Sequence, residues 1–170
     1  MLKLFLSPHN DDESLFGAYT LMREKPLVVV VYDSYVQDWV TTEERREETA
    51  KAMAVISRPY SFIGLNDKTA TRDDTYGALS EFTPDVVYAP TGSHKHHTWL
   101  GEIARELWGD KVILYTTYET SPDLVIGSVE IKPTDDEIAT KNAMLDCYVS
   151  QLEKNKPHFD AVRNRSEYYA

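Results

Sequence analysis

Between Pro26 and Asp33 the chain reads Leu27-Val28-Val29-Val30-Val31-Tyr32, six apolar residues with no polar position among them. A strand with one wet face alternates apolar and polar side chains. A run without alternation suits a strand covered on both faces, as in a parallel sheet with helices above and below.

The rest of the sequence supplies such an arrangement. Residues 2–6 form a first apolar run, stopped at Ser7-Pro8, and residues 13–23 place Leu15, Phe16, Tyr19 and Met22 at helical spacing. Thr41-Thr42-Glu43-Glu44 has the form of a capping box and predicts a helix to about Ile56. Residues 61–63 read as a brief strand, 75–82 as a weaker helix, and 85–89 as a further buried strand closed by Pro90. A helix is expected from about His97 to Leu107, then a strand over 111–116 and an edge or antiparallel strand over 124–131. Thr134-Asp135-Asp136-Glu137 caps a last helix through about Leu152, and residues 154–170 read as a polar tail. Strands separated by helices of about ten or more residues predict βαβ units and a mostly parallel sheet. The expectation is one α/β domain over residues 1–170.

Composition narrows the function classes. A formal net charge of −10 argues against broad nucleic-acid binding, which needs clustered Lys and Arg to displace counterions. No run approaches the ~18 apolar residues of a membrane span, and residues 1–6 are too short for a signal-peptide core. Cys147 is the single cysteine, which excludes an intramolecular disulfide and fits a reducing compartment. The chain therefore reads as cytoplasmic, with no membrane association. It has no Gly-x-Ser-x-Gly elbow and no phosphate-binding glycine loop.

Two clusters carry chemistry. Pro8-His9-Asn10-Asp11-Asp12-Glu13 sits at the end of the first strand, where open parallel sheets bind ligands. Imidazole with carboxylate suits Zn²⁺ and tolerates other divalent first-row ions. Asp11 or Asp12 capping the next helix is the plainer alternative. Ser93-His94-Lys95-His96-His97 places three of the five histidines within four residues, again just after a buried strand. His94 and His97, three apart, can face one site where a helix begins. Arg45 either holds a carboxylate near the site or a substrate anion, or is a solvated helix charge beside Glu48 or Glu44. Tyr32, Tyr35, Trp39 and Trp99 lie near the motifs, as packing residues or as sugar-stacking surfaces.

These residues resemble the LmbE/PIG-L N-deacetylases. That family commonly has Ala-His-Pro-Asp-Asp-Glu after its first strand, then Arg-x-x-Glu opening a long helix, then His-Pro-Asp-His. Here the counterparts are Pro8 to Glu13, Arg45 to Glu48, and His94-Lys95-His96-His97; Lys141 and Ser150-Gln151 match a later Lys and Ser-Gln pair. The resemblance implies a Rossmann-like fold and a zinc site of His9, Asp12 and His97. It makes Asp11 the general base, and gives His94 the oxyanion or the leaving amine. Arg45, Glu13 and His96 take supporting or substrate-binding places. The implied reaction removes an acetyl group from an N-acetylated aminosugar or related small molecule. An acyl acceptor such as a nucleotide or modified base, or a zinc-stabilised domain without catalysis, are the alternatives; a homo-oligomer is left open. The sequence departs from the pattern at Asn10, at Lys95-His96, and at Gly92, where some members carry a tyrosine.

Overall fold

A computed structural model of the protein describes residues 1–33, 39–120 and 122–170. The strands are β1 (Lys3–Ser7), β2 (Leu27–Val30), β3 (Tyr60–Phe62), β4 (Val86–Thr91), β5 (Val112–Thr116), β6 (Tyr118–Thr120), β7 (Asp123–Leu124), β8 (Val129–Ile131) and β9 (Glu167–Tyr169). The helices are α1 (Asp12–Phe16), α2 (Ala18–Glu24), α3 (Thr42–Val55), α4 (Arg72–Ser80), α5 (Lys95–Trp108), α6 (Asp135–Leu145), α7 (Val149–Lys154) and α8 (Lys156–Val162).

Seven strands form one sheet in the order β3-β2-β1-β4-β5-β9-β8, and β6 with β7 make a separate ribbon. From β3 to β5 every pairing is parallel; β9 runs antiparallel to both β5 and β8. The chain steps outward from β1 through β2 to β3, then returns to lay β4 against the other side of β1. The winding direction thus reverses between β1 and β4, the place where such sheets open a crevice beyond their carboxyl ends. The two histidine-bearing motifs follow these two strands.

The unbroken apolar runs are explained by cores on both faces. Leu4, Leu6, Val29, Val31, Val87 and Ala89 pack with α4 and α5 through Leu79, Leu100, Ile103 and Ala104. Phe5, Val28, Val30 and Tyr88 point the other way, onto Leu15, Leu21, Ala52 and Met144 from α1, α2, α3 and α6. Among the described residues, no helix is long and apolar enough to cross a membrane.

Capping boxes at Thr41/Glu44 and Thr134/Glu137 start α3 and α6 where the sequence places them. A third, Thr71/Asp74, starts α4 earlier than the expected residue 75. The helix expected over 13–23 breaks at Gly17, which lies against Phe5; a Cβ there would fall 2.2 Å from the ring. β4 continues through Pro90 to Thr91, since its pairing with β1 has already ended at Tyr88. The strand expected over 124–131 divides into β7 and β8.

The largest correction concerns residues 154–170, which form α8 and β9 and not a polar tail. Phe159, Val162 and Tyr169 are buried. The buried carboxylate of Glu167 accepts from the backbone N–H groups of Tyr19 (2.8 Å) and Thr20 (3.1 Å) and lies 3.8 Å from buried Lys141. Glu167→Ala strands that cation and both amides, and is expected to cost about 3–5 kcal/mol in urea unfolding. A loss below about 1 kcal/mol would show β9 to be dispensable.

Candidate metal centre and its cleft

The turn after β1 is bound from several sides. Glu13, fully buried, accepts from Ser7 Oγ (2.9 Å), Asp11 N–H (3.2 Å), Ser14 Oγ (3.1 Å) and the Tyr148 hydroxyl. Burial pushes its carboxyl above the usual range, against those donors. The Asn10 amide donates to Thr49 Oγ1 of α3 at 3.0 Å, so the residue standing in place of the family's proline fastens the turn by a hydrogen bond. Asp11 has φ 153° and sits at the N-cap of α1, yet its side chain makes no capping bond.

That side chain turns instead to Arg45, with Nη2 3.0 Å from Oδ2. Arg45 is only 3% exposed; it also donates to Glu48 (3.0 Å) and to the Asn10 carbonyl. The solvated-charge reading of Arg45 is thereby excluded, and Glu44 is occupied in the Thr41 capping box. Burial pushes the Asp11 carboxyl up to about 7; Arg45 pulls it down, and the Asp12 and Glu13 charges add to the rise.

Asp12 Oδ2 is the meeting point of two imidazoles, His9 Nδ1 at 3.2 Å and His97 Nε2 at 3.3 Å. Although burial works to raise it, these histidines hold the Asp12 carboxyl well below the usual range. One donor atom from each of the three residues lies within 4.8 Å of the others. His97 and His96 lie in the first turn of α5, which starts two residues before the expected His97, with His94 at its N-cap.

The donor set fits a divalent cation. Thr117 Oγ1 donates to the Thr91 carbonyl (2.8 Å), so it accepts from His97 Nδ1–H at 2.9 Å. In the neutral ring Nε2 then brings a lone pair towards the lone pairs of Asp12 Oδ2. An ion held between them would convert that repulsion into shared coordination. Donors about 2.0–2.1 Å from one tetrahedral ion lie roughly 3.3 Å apart, the separation seen for both imidazole–carboxylate pairs.

The triad opens into a cavity of about 240 Å³ that Asp11, Arg45 and His94 also line. His94 is exposed, with its ring centroid 5.5 Å from that of His97. Partial burial, then the neighbouring His97, lower its pKa. Glu13 and His96 are not among the lining residues; they stand behind the ligands. His96 is pushed down to about 4 by burial and by His9.

Several site residues carry no signal in the sequence. Thr117 is one, beyond a hint in its strand-end position. Tyr118, Asp67, Asn155 and His158 also line the cavity, the last two from the segment read as a tail, and Gln151 of the Ser-Gln pair joins them there. Gly92 leaves no room for a side chain, because a Cβ would lie 2.3 Å from Thr117 Oγ1. Lys141 is remote from the cavity, under the Tyr19 ring. Ser150 binds Glu48 through its N–H (2.7 Å) and Oγ (2.8 Å). Of the motif-side aromatics, Tyr32, Trp39 and Trp99 are absent from the cavity wall, and Tyr35 lies outside the described residues.

No protein-family model and no curated protein matches the chain. Solved structures do. A triple mutant of the deacetylase Orf2 of the teicoplanin biosynthetic pathway superposes with a TM-score of 0.75 at 18% identity, over 99% of this chain and 96% of that one. The same deacetylase has been solved in a zinc-inhibited form. The conserved protein TT1542 from Thermus thermophilus gives 0.75 at 22% identity, over 100% and 94%. GalB, the 4-carboxy-2-hydroxymuconate hydratase of Pseudomonas putida, gives 0.69 at 14%, over 99% and 95%. The Rossmann-like fold implied by the motif resemblance is thus the fold observed.

The raised Asp11 titration has a stability consequence in the metal-free protein. An acid whose folded pKa rises from 3.8 to about 7 favours folding most at low pH, and that contribution is lost as pH climbs through 7. Metal-free Asp11→Asn is therefore expected to melt above the metal-free wild type at pH 8, with the gap closing towards pH 4. Equal melting temperatures at pH 8 would contradict the buried, destabilised carboxylate.

Proposed function

We propose that the chain is a metal-dependent amide hydrolase that removes an acyl group, acetyl first among them, from the nitrogen of a polar small molecule. The observation that carries this reading is the Asp11 carboxylate, which lines the same cavity as His9, Asp12 and His97 and is not one of the three. Structural zinc sites close with four protein ligands, whereas catalytic ones keep three and an open position. A zinc-stabilised domain without catalysis has no use for the additional carboxylate. The resemblance of the motifs to the N-deacetylases, and the fold shared with the teicoplanin deacetylase, support an acetyl group on an aminosugar-like acceptor.

His9, Asp12 and His97 would hold the ion. When bound, it supplies Lewis-acid polarisation of the acyl carbonyl and lowers the pKa of water towards ~7. Asp11, with Oδ2 clamped by Arg45, takes the proton of the attacking water. His94, kept neutral at pH 7 by its lowered pKa, donates a hydrogen bond to the developing oxyanion. Asp11 then passes its proton to the leaving nitrogen, so that amide and water give carboxylic acid and amine, which end as carboxylate and ammonium once the acid's proton moves to the amine. Zn²⁺ is the first ion to test; the zinc-inhibited form of the teicoplanin deacetylase calls for stoichiometric loading, and for comparison with other divalent first-row ions.

The shared fold with a hydratase favours one second reading, in which the same base-activated water adds to a carbon–carbon double bond. The two part at the leaving nitrogen, which only hydrolysis needs to protonate. Acetate release from a panel of N-acetyl sugars, acylated amines and acylated nucleotides decides between them. Chelation is expected to abolish release and one equivalent of Zn²⁺ to restore it. Asp11→Asn should keep the metal and lose about 10²–10⁴-fold in turnover. Near-normal turnover in that variant removes Asp11 as the base. Hydration of an unsaturated acid with no acetate from any amide would establish the second reading.

A further inference from the structure

We propose that His96 is the positioning residue that holds His9 in its metal-binding form. The inference rests on His9, Asp12 and His97 being the metal site. His9 turns Nδ1 to Asp12 Oδ2, so Nδ1 is its ligand atom, and it can offer a lone pair only if the ring proton sits on Nε2. Nε2 lies 3.0 Å from His96 Nδ1. A histidine bound to a metal nearly always donates its other N–H to a carboxylate, a backbone carbonyl or water, which fixes both tautomer and ring orientation. Here the acceptor is a second imidazole.

His96 is built to stay where that contact needs it. Its ring stacks on Tyr32 with centroids 3.9 Å apart and planes 16° from parallel. Tyr32 is itself held by a 2.7 Å hydrogen bond between its hydroxyl and Thr75 Oγ1 of α4. Trp99, one turn along α5, lies 5.8 Å from the His96 ring on a tilted plane. The ring is buried behind His9 and does not line the cavity. Accepting at Nδ1 puts the His96 proton on Nε2, a buried nitrogen that has no hydrogen-bond partner among the described residues. The same first turn of α5 thus supplies one ligand directly, through His97, and orients another through His96. The Lys95-His96 departure from the family pattern then has a physical role.

The test is Zn²⁺ affinity, measured by competition with a chromophoric chelator on the full chain, with metal-free thermal unfolding as the check on folding. His96→Phe keeps an aromatic ring over Tyr32 and removes the nitrogen; its Zn²⁺ dissociation constant should rise about 10–100-fold. His96→Asn places an amide oxygen near the position of Nδ1 and should recover most of the affinity. The visible spectrum of the Co²⁺-loaded protein should change in the Phe variant and return towards wild type in the Asn variant. Wild-type affinity in His96→Phe, or equal weakening in Phe and Asn, would overturn the role by reducing the ring to packing. His9→Ala is the control on the triad. If it binds Zn²⁺ as tightly as wild type, or if wild type binds none, the metal site itself fails and the role of His96 with it.

Discussion

The buried carboxylate of Glu13 is the interaction on which the site depends. Asp11 occupies a backbone conformation with φ 153°, a sparsely populated region whose cost is typically about 1–3 kcal/mol. Such a turn persists only where its surroundings over-determine it. Glu13 does this from below, receiving the Asp11 N–H together with three hydroxyls from β1, α1 and the residue that starts α7. Arg45 does it from the side by donating to the Asn10 carbonyl. The two contacts grip the N–H and the C=O of one peptide unit, Asn10–Asp11, and fix its orientation in the turn. Asp11 points to the guanidinium and Asp12 to the imidazoles.

That separation sets the electrostatics. Three successive carboxylates, in a chain of net charge −10, are brought into a buried corner with the Arg45 guanidinium and the imidazoles of His9 and His97. The result is a graded set. Asp12, between His9 and His97, is held ionised, while Asp11 is raised into the neutral range with Arg45 as its main opposing charge. Neighbouring acids whose surroundings push their titrations apart can take different roles at one pH, one as ligand and one as base. A cation at the triad would add a positive charge beside both and lower Asp11 from its metal-free value. Metal binding and folding would then be coupled through the same carboxylates.

The sequence made the inner sheet legible because its strands are buried on both faces, and composition alone then marks them: 27–32 and 85–89 have almost no polar residue. The motifs were legible because each follows one of these strands, and strand ends face the crevice. Helix starts are legible where Thr and Glu stand three apart; the same device built with Asp, at Thr71 and Asp74, departs from that Glu pattern and starts α4 at Arg72, ahead of the expected residue 75. What could not be read depends on distant contacts. Thr117 acts only because β5 lies beside β4, so that its hydroxyl falls between the Thr91 carbonyl and His97. Residues 154–170 present their core side chains singly, between charges, without a period that distinguishes a short helix and an edge strand from a tail. Their order comes from Glu167, whose partners Tyr19, Thr20 and Lys141 are remote in sequence.

The last point bears on how such a site acquires selectivity. His9, Asp12 and His97, with Asp11 and Arg45, come from the turn after β1, the start of α5 and the start of α3, all tied to the parallel sheet and its first crossovers. The opposite wall comes from α7 and α8, through Gln151, Asn155, His158 and Phe159. These helices are placed by contacts away from His9, Asp12 and His97: Ser150 on Glu48, the Tyr118 hydroxyl on the His158 carbonyl, and β9 on β5. On the proposed function, substitutions on that wall would change which acceptor fits and leave His9, Asp12 and His97 in place, since Thr117, His96 and the turn after β1 supply the hydrogen bonds that orient them. Contacts do cross between the halves: Glu48 binds both Arg45 and Ser150, and Tyr148 at the N-cap of α7 donates to Glu13. A shift of α7 therefore reaches the Asp11 clamp through two charge-assisted bonds. On the proposed function, that line would join acceptor binding mechanically to the position of Asp11.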